Sequence, residues 1–266
     1  MTGRVFLVGA GPGAPDLITV RGLRVLEAAD VILYDALVDP EILNGLRGDT
    51  IFVGKRCGNH SLSQEEIIAL MVRLARSGKQ VVRLKGGDPT VLGRGGEELL
   101  ALASAGIPFE NVPGVTCAVA APLLAGIPVT HRGLADSFTV VTAHRRGDEQ
   151  RFSIPPFNPR TTLILLMGVG TVEQWRDQLR AGGYPADLPV AFVTDASTRS
   201  QQVLVTTLEW ADDQARAHAI RPPTTVIVGK VVSLRSVIAS QVPEGKTAAV
   251  ALEEMLDKSA GANSLF

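Results

Sequence analysis

The sequence predicts an α/β protein of two α/β domains, each with a mixed, mostly parallel sheet of about five strands, and an active site in the interdomain cleft. Three observations carry this. Short β-branched runs recur at 5–8, 31–34, 50–53, 81–84, 138–142, 162–167, 190–194 and 226–228. Helix-like segments separate them, and strands alternating with helices build a sheet covered on both faces. At 266 residues the chain is long enough for two such units.

The elements follow in order. The first run enters Gly9-Ala-Gly11-Pro-Gly13-Ala14, a glycine loop between a strand and a helical segment. The second ends at Tyr34-Asp35 and the third at Val53-Gly-Lys-Arg56. Ser63 with Glu66 forms a capping box that opens a helix over 64–76, and Gly78 stops it. The fourth run leads into Lys85-Gly86-Gly87-Asp88-Pro89. Gly95-Gly96 begins a helix that ends near Gly106, and an apolar helix covers about 116–125. Pro128, His131, Arg132 and Gly133 break the pattern, which places the domain boundary in 127–136: a first domain over 1–130, a second over 131–240 and a frayed tail over 241–266.

Composition narrows the function. With 45% apolar and 20% charged residues and a net charge of −1, the chain has no global field for nucleic acid or an anionic membrane. Cys57 and Cys117 are too few for a disulfide framework, which points to a reducing cytoplasm. No apolar stretch approaches the ~20 residues of a spanning helix, and no secretory leader is legible at the amino terminus. His60, His131, His144 and His218 lack metal-site spacing, so no metal is expected.

The glycine loop fits G-x-G-x-x-G/A, and Asp35 stands where a ribose-binding acid would, which suggests a nicotinamide dehydrogenase. Pro12 and Pro15 argue against it, because each removes an N–H donor that a pyrophosphate would need. Asp49 replaces the first glycine of a P-loop ahead of Gly54-Lys55, so triphosphate chemistry is not expected either. The 86–89 loop offers bare backbone and then a carboxylate, as a phosphate-free nucleoside ligand requires; an ordinary turn capped by Asp88 is the alternative.

GAGPG at 9–13, Tyr34-Asp35, Val53-Gly-Lys-Arg56, Arg83-Leu-Lys-Gly-Gly-Asp-Pro89, Gly93-Arg-Gly-Gly-Glu-Glu98, Val112-Pro-Gly-Val-Thr116 and Pro128-Val-Thr-His-Arg132 together resemble the uroporphyrinogen-III C-methyltransferases, colinearly over about 3–238. The resemblance implies methyl transfer from S-adenosyl-L-methionine (SAM) to C-2 and C-7 of uroporphyrinogen III. The products are precorrin-2, by way of precorrin-1, and S-adenosyl-L-homocysteine; precorrin-2 feeds sirohaem, cobalamin or haem d1. It also implies a cytoplasmic homodimer and no dehydrogenase or chelatase module ahead of the methylase. Carried onto this sequence, the donor contacts are Pro12, Gly86, Gly87, Asp88, Val91, Thr116, Cys117, Met167, Ala196 and Thr225. Thr116 also suits a helix cap, and a core methionine is the plain alternative for Met167.

Eight substrate carboxylates call for cations, and arginine's planar fork suits them. Arg94 and Arg132 lead, followed by Lys55, Arg56 and Arg83, with surface solvation the alternative for each. Glu97, three residues after Arg94, is the candidate general base, or else a partner of the helix dipole. Asp35 either binds substrate or caps a turn. Ala14, Thr90, Leu92, Ala196-Ser197 and the stretch 145–160 depart from the family pattern. Another tetrapyrrole methylase or diphthine synthase, and a non-catalytic SAM or tetrapyrrole binder, remain as alternatives.

Overall fold

The computed structural model describes residues 2–54, 62–144 and 153–239. It divides into two compact units, 1–116 and 117–266.

The first unit holds β1 (Arg4–Gly9), β2 (Val31–Tyr34), β3 (Asp49–Phe52), β4 (Gln80–Lys85) and β5 (Phe109–Val112). They form one wholly parallel sheet in the order β3-β2-β4-β1-β5. Alternation sorts its two faces. Val5, Leu7, Val31, Leu33 and Val81 pack under α2 (Gln64–Arg76) and α3 (Gly95–Ser104), through Met71 and Leu102. Val8, Ile32, Val82, Leu84 and Val112 pack under α1 (Val20–Glu27), through Leu26. The capping box on α2 forms as the sequence predicts: Glu66 N–H donates to Ser63 Oγ at 3.2 Å, and Ser63 N–H to Glu66 Oε2 at 2.7 Å. Phe109–Val112 escapes the sequence pattern because β5 is an edge strand whose Phe109 and Asn111 are exposed.

The second unit begins with α4 (Cys117–Leu124) and builds a sheet from β6 (Ser137–Thr142), β7 (Thr161–Leu166), β8 (Pro189–Thr194), β9 (Gln202–Thr207) and β10 (Thr224–Val228). The order is β6-β7-β10-β8-β9. Only β6 and β7 pair in parallel; β7–β10, β10–β8 and β8–β9 are antiparallel. This sheet is therefore mixed and mainly antiparallel, where the sequence suggested a mostly parallel one. The cause is the helix-free link 195–201, which returns the chain directly alongside β8, as only antiparallel neighbours permit. α5 (Val172–Ala181) and α6 (Ala211–Ala217) cover one face through Trp175, Leu179 and Ala215.

Ala118, Ala121, Ala125 and Ile127 pack against Ile164, Ala191, Val193 and Ile227 on the other face. That packing puts 117–130 in the second unit, ahead of the boundary expected from the Pro128–Gly133 break. No helix among the described residues is long and apolar enough to cross a membrane.

Candidate functional site

In the parallel sheet, the loops leaving β1 and β4 run to opposite faces, because β1 continues into α1 and β4 into α3. β1 and β4 are neighbours, so the crevice between their carboxyl ends is a topological switch point, the usual ligand position in such sheets. The two glycine loops meet there. Gly87 N–H donates to Gly11 O at 2.7 Å and Gly11 N–H to Gly87 O at 3.3 Å, while Ala10 N–H reaches Lys85 O at 2.8 Å. A third loop, after β5, closes against them. A Cβ on Gly114 would lie 2.2 Å from Gly87 O and 2.6 Å from Gly9 Cα, a distance no side chain tolerates. These glycines let three backbones touch.

Asp88 holds the same junction. Its Oδ1 accepts from Thr90 N–H at 2.8 Å and Thr90 Oγ1 at 2.6 Å, and its Oδ2 from Gly114 N–H at 3.1 Å. Burial opposes ionisation of this carboxyl, but the bonds from Thr90 and Gly114 outweigh it and lower the pKa. Asp88 is thus a loop tie first, with only its remaining lone pairs open to a ligand. Pro12, Gly86, Val91 and Thr116 are half-buried around the same strand ends.

Arg94 stands at the start of α3 in left-handed backbone, φ 59°. Its Nε and Nη2 donate to Glu97 Oε1 and Oε2 at 3.0 and 2.7 Å, a bidentate pair in which both side chains are about half exposed. Hydrogen bonding to Glu97 raises the pKa of Arg94. The geometry joins the leading carboxylate-binding cation to the candidate base.

Beneath this edge lies an ionic cluster that the sequence reading missed. Glu98 is 0% exposed. Its Oε1 accepts from Gln64 Nε2 at 2.9 Å, Arg83 Nε at 3.2 Å and Lys85 Nζ at 3.2 Å. Arg83 also reaches Asp35 Oδ2 at 3.3 Å and the Leu84 carbonyl at 3.1 Å. Asp35 takes Leu37 N–H on Oδ1 at 3.2 Å, so it is both a turn cap and an ion-pair partner. Burial, then the charge of Arg83, pushes the Lys85 pKa down; Glu98 and Asp35 oppose this. The signal was present: Gly95, Glu98 and Leu102 are the buried positions of α3, spaced three and four apart, whereas Glu97 falls off that stripe. Arg83, ranked among secondary substrate cations, is instead buried in this cluster.

In the second unit, register gathers three of the predicted residues at one sheet edge. Thr225 on β10 lies opposite Leu166 on β7 and Val193 on β8, so Met167 and Ala196, just beyond those strands, lie toward the same end of the sheet. Met167 is 51% exposed with φ 59°, which rules out the core-methionine alternative. Asp195 and Ser197, either side of buried Ala196, also have positive φ, 49° and 71°. The link is tied by Ser197 N–H to Gln201 Oε1 at 2.8 Å, by Gln201 Nε2 to Leu124 O at 3.1 Å and by Arg221 Nη2 to Asp195 Oδ2 at 2.5 Å. Cys117, at the start of α4, is half-buried, and burial raises the pKa of its thiol. Arg132 is exposed in the turn that His131 and Ala135 close by mutual backbone bonds of 2.9 Å.

Lys55, Arg56, Cys57, His60 and the tail 241–266 lie outside the described residues. Among the described residues, no group of three His, Cys, Asp or Glu side chains is placed to hold a metal. Cavities of about 240 Å³, beside Glu173, Asp212 and Arg216, and about 550 Å³, beside Phe6, Arg21 and Arg24, include none of the predicted site residues.

A family model described as Tetrapyrrole (Corrin/Porphyrin) Methylases matches residues 4–212. The chain is 46% identical over 239 residues to the uroporphyrinogen-III C-methyltransferase of Methanocaldococcus jannaschii, a match covering 88% of this chain and 98% of that protein. It is 48% identical over 246 residues to the siroheme synthase of Nitrosospira multiformis, covering 91% of this chain and 52% of that one. The chain therefore spans about half the length of the siroheme synthases it matches. Its fold is similar to the crystal structure of uroporphyrin-III C-methyl transferase from Thermus thermophilus complexed with S-adenyl homocysteine, with a TM-score of 0.73 and 42% identity, covering 87% of this chain and 100% of that one.

Proposed function

The chain belongs to the tetrapyrrole (corrin/porphyrin) methylases, and on that premise we propose that it transfers methyl groups from SAM to C-2 and C-7 of uroporphyrinogen III. The product is precorrin-2, formed by way of precorrin-1, a precursor of sirohaem, cobalamin or haem d1.

One observation carries this reading: at the switch point of the parallel sheet, the loop N–H groups of Ala10, Gly11, Gly87 and Gly114 are all taken by protein acceptors. An anion nest needs such groups free, so the crevice suits a ligand without phosphates. SAM is such a ligand, and its bound sulfonium supplies an electrophilic methyl group. Pro12, Gly86, Gly87, Asp88, Val91, Thr116, Cys117, Met167, Ala196 and Thr225 are its proposed contacts.

The chain's own residues then bind and orient the substrate. Arg94 presents an exposed guanidinium for a propionate or acetate arm, and Arg132, exposed on its turn, presents another. Glu97, held by two hydrogen bonds from Arg94, is the proposed acceptor for the proton that the methylated ring system gives up, the attacking carbon itself carrying none. Asp35 offers its remaining lone pairs to pyrrole N–H donors. Holding the attacking carbon in line with the sulfonium contributes as much as acid–base work. Lys55 is a further proposed substrate contact. By resemblance to the family, the active form is a cytoplasmic homodimer, which sedimentation of the purified chain checks.

The test is transfer of isotopically labelled methyl from SAM to uroporphyrinogen III under anaerobic conditions, alongside titration with S-adenosyl-L-homocysteine and with a nicotinamide dinucleotide. Labelled tetrapyrrole with S-adenosyl-L-homocysteine binding supports the proposal. Binding without transfer identifies a non-catalytic binder, and nicotinamide binding alone contradicts it.

A further inference from the structure

We propose that Glu98 is a positioning residue for the methyl donor: by clamping Lys85 and Arg83 it fixes the carboxyl end of β4, and with it the Gly86–Gly87 backbone on which the donor rests. The inference rests on the function proposed above. It concerns the second glutamate of the motif at 93–98, not the exposed Glu97 beside it.

The geometry leads there in three steps. First, Glu98 Oε1 gathers three donors from two elements, Gln64 at the start of α2 and Arg83 with Lys85 on β4. Its Oε2 is buried with no hydrogen-bond partner among the described residues. Proteins seldom bury a carboxylate so one-sidedly unless the engaged oxygen does something a neutral side chain would not. Second, Lys85 is the residue immediately before the Gly86–Gly87 turn, and its carbonyl accepts the Ala10 N–H of the other glycine loop at 2.8 Å. Holding the Lys85 side chain therefore also holds the peptide that joins both loops. Third, the loop has little slack. A Cβ on Gly86 would lie 2.7 Å from the Leu37 Cβ, and one on Gly9 or Gly114 would lie 2.6 or 2.2 Å from Gly87 O.

The cluster is balanced among the described residues. Arg83 and Lys85 face Glu98 and Asp35, from β4, α3 and the end of β2. Replacing Glu98 by glutamine leaves two buried cations facing one carboxylate, so the strand end relaxes toward solvent and carries Gly86 with it. A shift of about 1 Å in a positioning group costs up to about a hundredfold in function.

The experiment uses the full chain and S-adenosyl-L-homocysteine as the calorimetric probe, with steady-state kinetics in both substrates. Glu98→Gln is expected to weaken the probe and raise the KM for SAM by about tenfold or more, with the KM for uroporphyrinogen III unchanged. A loss of stability alone, with wild-type probe affinity, overturns the proposal. The charge-balanced pair Lys85→Met with Glu98→Gln keeps the test open where the single variant does not fold. Thermal stability restored with the probe still weak supports positioning; wild-type probe affinity in the pair shows that Glu98 only balances charge and overturns it. A wild-type chain that does not bind the probe overturns this inference and the proposed function together, whereas equal binding by wild type and variants overturns this inference alone.

Discussion

The two sheets end in edges built on opposite plans. At the carboxyl edge of the parallel sheet, position is fixed by removing side chains: Gly9, Gly87 and Gly114 bring three loops into backbone contact, and Asp88 ties two of them. At the edge of the mixed sheet, side chains stay and the backbone bears the cost. Met167, Asp195 and Ser197 all sit at positive φ without being glycine, with Arg221 holding Asp195 and Gln201 holding Ser197. Such residues cost on the order of 1 kcal/mol each and persist where surrounding bonds over-determine them. Glycine gives a rigid floor without chemistry; strained residues keep side chains to offer.

That contrast can be broken or sharpened by mutation. The largest effect is expected at the glycine floor. Gly114→Ala inserts a Cβ into backbone that cannot retreat, and should lower stability by about 3 kcal/mol in a urea titration and abolish S-adenosyl-L-homocysteine binding. Unchanged stability would mean that the three-loop contact is not what fixes this edge.

Next come the polar groups displayed above that floor. Arg94→Ala should raise the KM for uroporphyrinogen III by roughly 10- to 100-fold, the size of about 1.5–3 kcal/mol for a lost charged hydrogen bond. Glu97→Gln should lower kcat by about a hundredfold. Undiminished turnover by both variants removes the carboxylate and base assignments.

A smaller effect of opposite sign is expected at the strained edge. Met167→Gly relieves left-handed backbone and should stabilise the fold by up to about 1 kcal/mol in thermal unfolding while weakening S-adenosyl-L-homocysteine. Stabilisation with unchanged affinity would make the strain incidental.

The smallest concerns the tie. The Asp88 carboxyl has a lowered pKa in the fold, so its contribution to stability is full above the ordinary carboxylate value of about 3.9. It is lost as pH falls through the lower folded value, where folded and unfolded chains both hold the proton. Asp88→Asn should therefore be less stable than wild type at neutral pH, with the gap closing in acid. A gap that does not depend on pH would show that the charge of Asp88 is irrelevant to the junction.

Much of this was legible in the sequence where local rules decide. The capping box at Ser63 and Glu66, the parallel strands 5–8, 31–34 and 81–84, and the two glycine loops follow from residue type and spacing. What was not legible depends on tertiary arrangement. The link 195–201 contains no helix, and that alone turns the second sheet antiparallel, yet nothing in Asp195–Gln201 announces it. The strand 109–112 hides because an edge strand keeps polar side chains. Apolar 117–125 reads as a helix, but which sheet its alanines cover is decided by packing. Glu97 and Glu98 are adjacent and chemically alike, and only the phase of α3 separates an exposed carboxylate paired to Arg94 from a buried one that clamps β4. Met167, carried over as a donor contact with a core position as the alternative, stands exposed at the end of β7 because its backbone turns it outward.

The proposed function is tested most directly by counting methyl groups. Purified chain incubated anaerobically with uroporphyrinogen III and excess SAM, followed by mass analysis of the tetrapyrrole, should show two added methyl groups with one as a transient. No addition would contradict the proposed activity, and a third would place the chain in another branch of its family.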